Sequence, residues 1–475
     1  MKEKKGIAER RGNGLCRLSS LIPEVSPQMT QCNSQLSFGL LHRKQIVGAF
    51  DGGDISSDGG LMLVAEADDA LGLTRKLSAV LSDQRQPGKV RHSLDDLLRQ
   101  RVYQIAQGYE DCNDADDLRC DAMFKTALGR LPATGDDLAS QPTLSRFENS
   151  IRPRQLLAMA RVLLEVFFKQ YATAAPQRII LDFDATDDET HGQQQFAEFH
   201  GYYDEHCYLP LIVTAKVDEG PKELVAAMLR PGRSHASTNA LSVLKRLVAA
   251  IRSRWPEVQI VLRADAGFAI PDIYDWCEGN GVEYLIGLAQ NSVLLRLVEP
   301  HLAAARTELE QTGAKVRNLH EALYAADSWS HSRRVLMKAE VSEQGDNPRF
   351  VVTSLAAGDA EALYDLYAQR GEMENRIKEL KNDLQMDRTS CHRFVANQFR
   401  VLLHATAFVL LSFIRKLLAG TRLANAQVGT LQRHLLKLGV LVKETVRRVL
   451  LSFASHCPVQ GLWVLLLRRI RAAAV

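Results

Sequence analysis

The sequence predicts an α/β protein, a mixed β-sheet core flanked by helices. Three observations lead there. The hydrophobic period shortens to two at about residue 177, and from that point strand and helix patterns alternate. Helical patterns fill most of the chain on either side of that stretch. The length of 475 residues, 46% hydrophobic and 24% charged, exceeds one simple core yet has the composition of an ordinary globular chain.

Taken in order, residues 1–45 are basic, scattered with Pro, Ser, Gln and Asn, and read as a mobile lead-in. Residues 46–172 read as a mainly helical domain. It opens on an extended piece with two Gly-Gly turns, IVGAFDGGDISSDGG, which contains neither a GxxxxGK[ST] nor a GxGxxG phosphate loop. Helical patterns follow, with Ser93 and Asp96 spaced as a capping pair, and residues 153–171 form a long apolar helix. Arg91, His92, Arg99, Arg101, Arg146 and Arg152 are the phosphate-reaching candidates of this domain, whose expected partner is DNA.

The central region is expected over residues 173–291 and 359–400. RIILDFDA (178–185) alternates Ile180, Asp182 and Asp184 against Ile179, Leu181 and Phe183, a strand with two carboxylates on one face. Two acids on a core strand need a cation, a metal or an exposed strand end. YLPLIVTAKV and ELVAAML are the next strands, residues 239–254 an amphipathic helix, and QIVLRA a strand ending at Asp265-Ala266-Gly267. Pro271 starts another helix, closed by Asn280-Gly281, before a short fifth strand at 284–287. Three strands, helix, strand, helix, strand is the order of the ribonuclease H-like fold. In that fold the first and fourth strands are neighbours, which brings Asp184 and Asp265 together. Such oxygen ligands, joined by a carboxylate from a later helix, suit Mg²⁺ or Mn²⁺. Residues 292–358 form an insertion whose second half reads as a β-hairpin turning at QGDN. Trp329 precedes it, a core tryptophan or a platform for an unpaired base.

Residues 364–387, YDLYAQRGEMENRIKELKNDLQMD, read as one helix with a buried stripe of Leu366, Met373, Ile377, Leu380 and Leu384. Tyr367, Arg370, Glu374 and Lys381 fall within about 60° of one another on an adjacent face. By itself this is also the pattern of a salt-bridged surface helix. The spacing Tyr367-x2-Arg370-x3-Glu374-x6-Lys381 resembles the YREK signature of bacterial insertion-sequence DDE transposases. DFDATDDETHGQQQ and FDGGDISSDGG resemble the same group, and the resemblance extends over about residues 50–411. It implies Asp184, Asp265 and Glu374 as catalytic metal ligands, with Asp182 the competing first aspartate. It implies Tyr367, Arg370 and Lys381 as DNA contacts, with Lys378 and Asn375 in second rank. It further implies a homodimer in a paired-end complex on double-stranded DNA, and strand cleavage and joining.

Residues 401–475 read as a helical, basic C-terminal region. From residue 376 onward there are 17 Lys and Arg against 4 Asp and Glu, an excess that suits a polyanion. The eight cysteines form no CxxC pair, so neither a zinc site nor a disulfide framework is expected, and the cytoplasm is the expected compartment. The apolar run 401–414 is short for a membrane span, and no membrane or small-molecule partner is expected. Three functions remain open: a transposase, a ribonuclease H-like nuclease without strand transfer, and a catalytically silent DNA-binding repressor.

Overall fold

The computed structural model describes residues 35–172 and 174–474. The lead-in expected over residues 1–45 lies outside them as far as residue 34. Beyond that point the chain departs from the expectation, because Leu36–Leu41 and Lys44–Gly48 pair as an antiparallel hairpin. His42 supplies the left-handed residue of its turn, with φ of 56°. The hairpin belongs to a unit ending at Gly53, and Asp54–Val475 form the second unit.

The second unit begins with helices α1 (Leu61–Leu71), α2 (Leu94–Ala106), α3 (Gln141–Ser150) and α4 (Pro153–Lys169). The cap expected at α2 is present. The Ser93 hydroxyl accepts from the Asp96 amide at 3.0 Å, and the Asp96 carboxylate accepts from the Ser93 amide at 3.0 Å. Arg101 does not reach outward as expected. It is fully buried, with its Nε donating to Glu148 Oε1 at 2.8 Å.

The sheet is built from β1 (Arg178–Ala185), β2 (Leu211–Val217), β3 (Lys222–Met228), β4 (Gln259–Ala264) and β5 (Glu283–Leu288). Helix α5 (Ala240–Arg254) joins β3 to β4, and α6 (Pro271–Gly279) joins β4 to β5. The strand order is β3-β2-β1-β4-β5, with β1, β4 and β5 parallel and β2 antiparallel to both neighbours. This is the ribonuclease H-like arrangement. The insertion adds α7 (Ser292–Thr312), β6 (Val316–Tyr324), β7 (Arg333–Ser342) and β8 (Arg349–Thr353). Its hairpin is not a separate sheet. β8 pairs with β5, so the order continues β5-β8-β7-β6 across one surface.

Strand period two sorts the core into two layers. Ile179, Leu181 and Phe183 of β1 face one layer, with Leu244 and Leu247 of α5 and Ile273 of α6. On the other face Ile180, Val261, Leu285, Val351 and Leu336 form an apolar row. Leu363 and Tyr364 of α8 (Ala360–Ala368) close over it. Past α9 (Glu372–Lys378), the spine of the C-terminal part is α10 (Phe394–Leu417). By length and composition α10 is long and apolar enough to cross a membrane, unlike the shorter run read from sequence, but 83% of its apolar window is buried inside the protein. It packs on the N-terminal helices, with Phe147 and Phe399 ring centroids 5.3 Å apart. Arg400 approaches the same Glu148 that holds Arg101.

The segment after α10 departs from the helical expectation. It contains a β-hairpin, β9 (Val440–Glu444) and β10 (Val449–Phe453), with Ile55–Ser56 on its edge. The reason is local. Val440 and Val442 are buried while Leu441 and Lys443 are exposed, a period of two built on β-branched residues. Helix α11 (Gln460–Ala473) follows the hairpin.

Candidate active site

The two carboxylates of β1 have different environments. Asp182 is fully buried, and its oxygens accept from Arg263 Nε at 2.7 Å and Arg263 Nη2 at 2.8 Å, with Lys222 Nζ 3.0 Å away. Arg263 is its register partner on β4. Burial pulls the Lys222 ammonium below its ordinary value, against the pull of Asp182. The two cations also hold the following layer. Arg263 Nη1 donates to the Leu366 carbonyl at 2.6 Å, and Lys222 Nζ donates to the Gln369 carbonyl at 2.9 Å. Asp182 therefore anchors the end of α8 to the sheet. Three of its roughly four lone-pair sites face these cationic donors.

Asp184, one pleat further on, reaches the strand end. It is 8% exposed, and Arg370 Nη1 donates to its Oδ2 at 2.9 Å. Burial pushes its carboxyl up to about 6, Arg370 opposes that rise, and Asp265 reinforces it. The parallel register Ala264↔Phe183 places Asp265 opposite Asp184 at the next step. One Asp265 oxygen caps the 3₁₀ turn Ala266–Phe268 by accepting from the Gly267 amide at 2.9 Å.

Tyr367 and Arg370 complete the near side. Gly287, at the end of β5, has no room for a side chain, because a Cβ there would lie 2.6 Å from the Tyr367 hydroxyl and 3.0 Å from the Ala266 amide nitrogen. The bare backbone lets the phenol lie beside Asp265. Burial raises the Tyr367 phenol, Arg370 counters the rise and Asp265 adds to it.

The helix carrying these residues is not uniform. It starts at Ala360, tightens to 3₁₀ at Gln369–Gly371, returns to α over α9, and widens to a π-turn at Glu379–Asp383. A 3₁₀ residue turns about 120° where an α residue turns about 100°. Three of them add roughly 60° of rotation between Tyr367 and Glu374, and less between Glu374 and Arg370, which lies within the tightened turn. Glu374 is exposed, and Asn375 and Lys378 lie beside it on the same short helix. Among the described residues, Asp184, Asp265 and Glu374 do not gather their oxygens within 4.8 Å of one another. The stripe is as expected at Met373, Leu380 and Leu384, which are buried. Lys381, on the π-turn, donates to Asp187 Oδ2 at 2.9 Å.

Asp187 opens an excursion between β1 and β2. Its short strands Asp188–Glu189, Glu198–His200 and Glu205–Tyr208 form a small sheet. Thr389 Oγ1 donates to Asp188 Oδ1 at 2.9 Å, and the Gln195 amide donates to the His392 carbonyl at 2.9 Å. The excursion and the segment after the π-turn are thus stitched together beside the aspartates.

A strand-end aspartate pair with an arginine on one member and a phenol beside the other is now in place. The family described as transposase DDE domain group 1 matches residues 38–475. The chain belongs to that family. No curated protein matches the chain.

In this DDE transposase, the carboxylate and imidazole atoms that do lie close enough to share one cation belong, among the described residues, to Asp275, Glu278 and His331. Arg333 already occupies that place, with Nη2 2.6 Å from Asp275 Oδ1 and Nε 2.7 Å from Glu278 Oε1. It is an ion-pair cluster. The aspartate pair fits a hard divalent ion better, since both members offer carboxylate oxygens at a strand end and Arg370 and the Ala185 backbone are what favour the charged form of Asp184. Trp329 packs between Tyr274 and Tyr324, each centroid 5.3 Å away, with Arg333 against its ring. Its place is in the wall of the insertion. Lys222, Arg263 and Asp187 escape sequence reasoning. The available signal for Arg263 is a charge inside an apolar strand pattern, two residues before Asp265.

Proposed function

We propose that this transposase cuts DNA at the ends of its insertion sequence and joins the 3′ ends to target DNA. The observation that carries the reading is the Asp184–Asp265 pair at neighbouring strand ends, with Arg370 and Tyr367 of one helix laid against it. Asp184 and Asp265 are the residues that would hold Mg²⁺ or Mn²⁺, and Glu374, exposed on α9 and apart from the pair, would complete the set only if brought to it. When bound, such ions lower the pKa of a water or 3′-hydroxyl and stabilise the leaving oxygen of a phosphodiester. Arg370 neutralises Asp184 in the free protein and is placed to turn its guanidinium to a DNA phosphate, where it offers paired donors. The Tyr367 hydroxyl, kept protonated by its surroundings, is a donor to a non-bridging phosphate oxygen. Lys381, Lys378 and Asn375 extend the same ridge towards the strand being cut. The proposed partner is double-stranded DNA bound by a homodimer on two ends, in the cytoplasm.

The test is to incubate the protein with Mg²⁺, a labelled duplex of the element's end and a target plasmid. Joined products are expected. Cleavage without joining would replace the reading by a nuclease, and a mobility shift without cleavage by a repressor.

A further inference from the structure

The C-terminal β9–β10 hairpin ends in a tip that the core does not use. Val446 is 104% exposed, a fully hydrated apolar side chain at the end of an ordered turn. The turn is held on both sides. The Thr445 amide and hydroxyl each donate to the Arg448 carbonyl at 2.8 Å, and the Arg448 amide donates back to the Thr445 hydroxyl at 3.1 Å. Neither Val446 nor Arg447 takes the positive φ that tight hairpin turns commonly require. The side chains of the tip are therefore not there to solve a backbone problem.

Charge is arranged with equal one-sidedness. Glu444 is the hairpin's acid, and it is turned away from the tip. Its carboxylate accepts from the Ala133 amide at 2.9 Å, the Thr134 amide at 3.1 Å and the Thr134 hydroxyl at 2.7 Å. Those three bonds tie the hairpin, at its last strand pair before the turn, to the N-terminal helical part. Lys443, Arg447 and Arg448 are left exposed, with no carboxylate partner among the described residues. A fixed tip with an apolar point, three unpaired cations and its acid withdrawn is complementary to a polyanion with a groove.

We propose that this hairpin is a wing that contacts duplex DNA, with Arg447 and Arg448 on backbone phosphates and Val446 at the groove edge between them. The inference rests on the DNA-processing reading above and adds to it a surface remote in sequence from the YREK ridge. Lys443, on the outward face of β9 opposite Leu450, extends the contact along the backbone.

The experiment is anisotropy of a fluorescein-labelled random-sequence duplex titrated with full-length protein without divalent metal, over a series of salt concentrations. Each phosphate contact contributes about 0.9 to the slope of log affinity against log salt. Arg447→Ala with Arg448→Ala is expected to flatten that slope by about 2 and weaken binding at least tenfold. Val446→Asp is expected to weaken it several-fold. All three positions are exposed, so the thermal midpoint should not move. Wild-type protein that binds while the double variant keeps its slope and affinity would overturn the wing alone. Wild-type protein that binds no duplex would overturn the wing and the transposase reading together. A variant that sediments as a smaller species with DNA affinity unchanged would make the hairpin a contact between copies and overturn the proposal.

Discussion

Replacing Asp182 and Asp184 by asparagine, one at a time, separates an anchoring carboxylate from a reacting one. Asp182 lies under three cationic donors at 2.7, 2.8 and 3.0 Å and has no access to solvent. Asp182→Asn preserves the shape but removes the charge that balances Arg263 and Lys222, and it turns an amide donor toward one of them. Uncompensated buried charge of this kind costs about 3–5 kcal/mol. The damage also spreads to the Leu366 and Gln369 carbonyls that the two cations hold. Asp184→Asn has the opposite balance. Its carboxylate is already disfavoured by burial, with its pKa pushed up to about 6, so removing the charge relieves desolvation while it frees Arg370. Urea unfolding should show Asp182→Asn destabilised by about 3–5 kcal/mol, and Asp184→Asn unchanged or slightly more stable. Plasmid cleavage with Mg²⁺ should vanish in Asp184→Asn. If Asp182→Asn folded like wild type and lost cleavage while Asp184→Asn still cut DNA, Asp182 would be the reacting carboxylate and Asp184 the anchor.

Three further outcomes are expected. Arg370→Ala should lower the cleavage rate by roughly 10²–10³-fold, the usual loss when one aimed donor is removed, with urea stability close to wild type; a rate within a factor of about three would mean that Arg370 serves only Asp184. Gly287→Ala should reduce cleavage by displacing the Tyr367 phenol from Asp265, and Gly287→Ala combined with Tyr367→Phe should be no worse than Gly287→Ala alone. Independent, multiplying losses in that pair would refute the close-approach account. His404 is fully buried, its Nδ1 donates to the Leu384 carbonyl at 2.8 Å, and burial holds it well below its ordinary value of 6.5. Below pH 6.5 the unfolded chain takes up a proton that the folded chain refuses. Stability is therefore fully present above that pH and falls by about 1.4 kcal/mol per pH unit beneath it. The stability difference between wild type and His404→Gln should vary with that slope between about pH 5 and 6.5, and a flat difference would exclude His404 as the source.

The order of the five central strands and the two helices between them was legible from period-two and period-3.6 apolar patterns, which follow directly from which faces are buried, while the short strands Asp188–Glu189, Glu198–His200 and Glu205–Tyr208, with little apolar alternation, were not. The sequence by itself also determined the Asp184–Asp265 pairing, since strand order in this fold leaves the ends of β1 and β4 side by side. The Ser93–Asp96 cap was legible for a similar reason: both partners lie within one turn.

Tertiary structure decided whatever depended on partners distant in sequence. Asp182 and Asp184 look equivalent along β1, and only the arrival of Lys222 from β3 and Arg263 from β4 makes one an anchor. In the helix bearing Glu374 the one local irregularity near Gln369–Gly371 is Gly371, which apolar spacing by itself reads through at a uniform pitch. That turn is tightened where two sheet cations hold the Leu366 and Gln369 carbonyls. Arg101 has the look of a surface arginine until Glu148, 47 residues away, meets it in the core. The β9–β10 hairpin lies hidden in an apolar-basic alternation that a helix also tolerates, and the edge strand at Ile55–Ser56 gives it a partner. Local pattern sets the face that a residue presents, and the charges it meets there come from chain segments that only folding brings near.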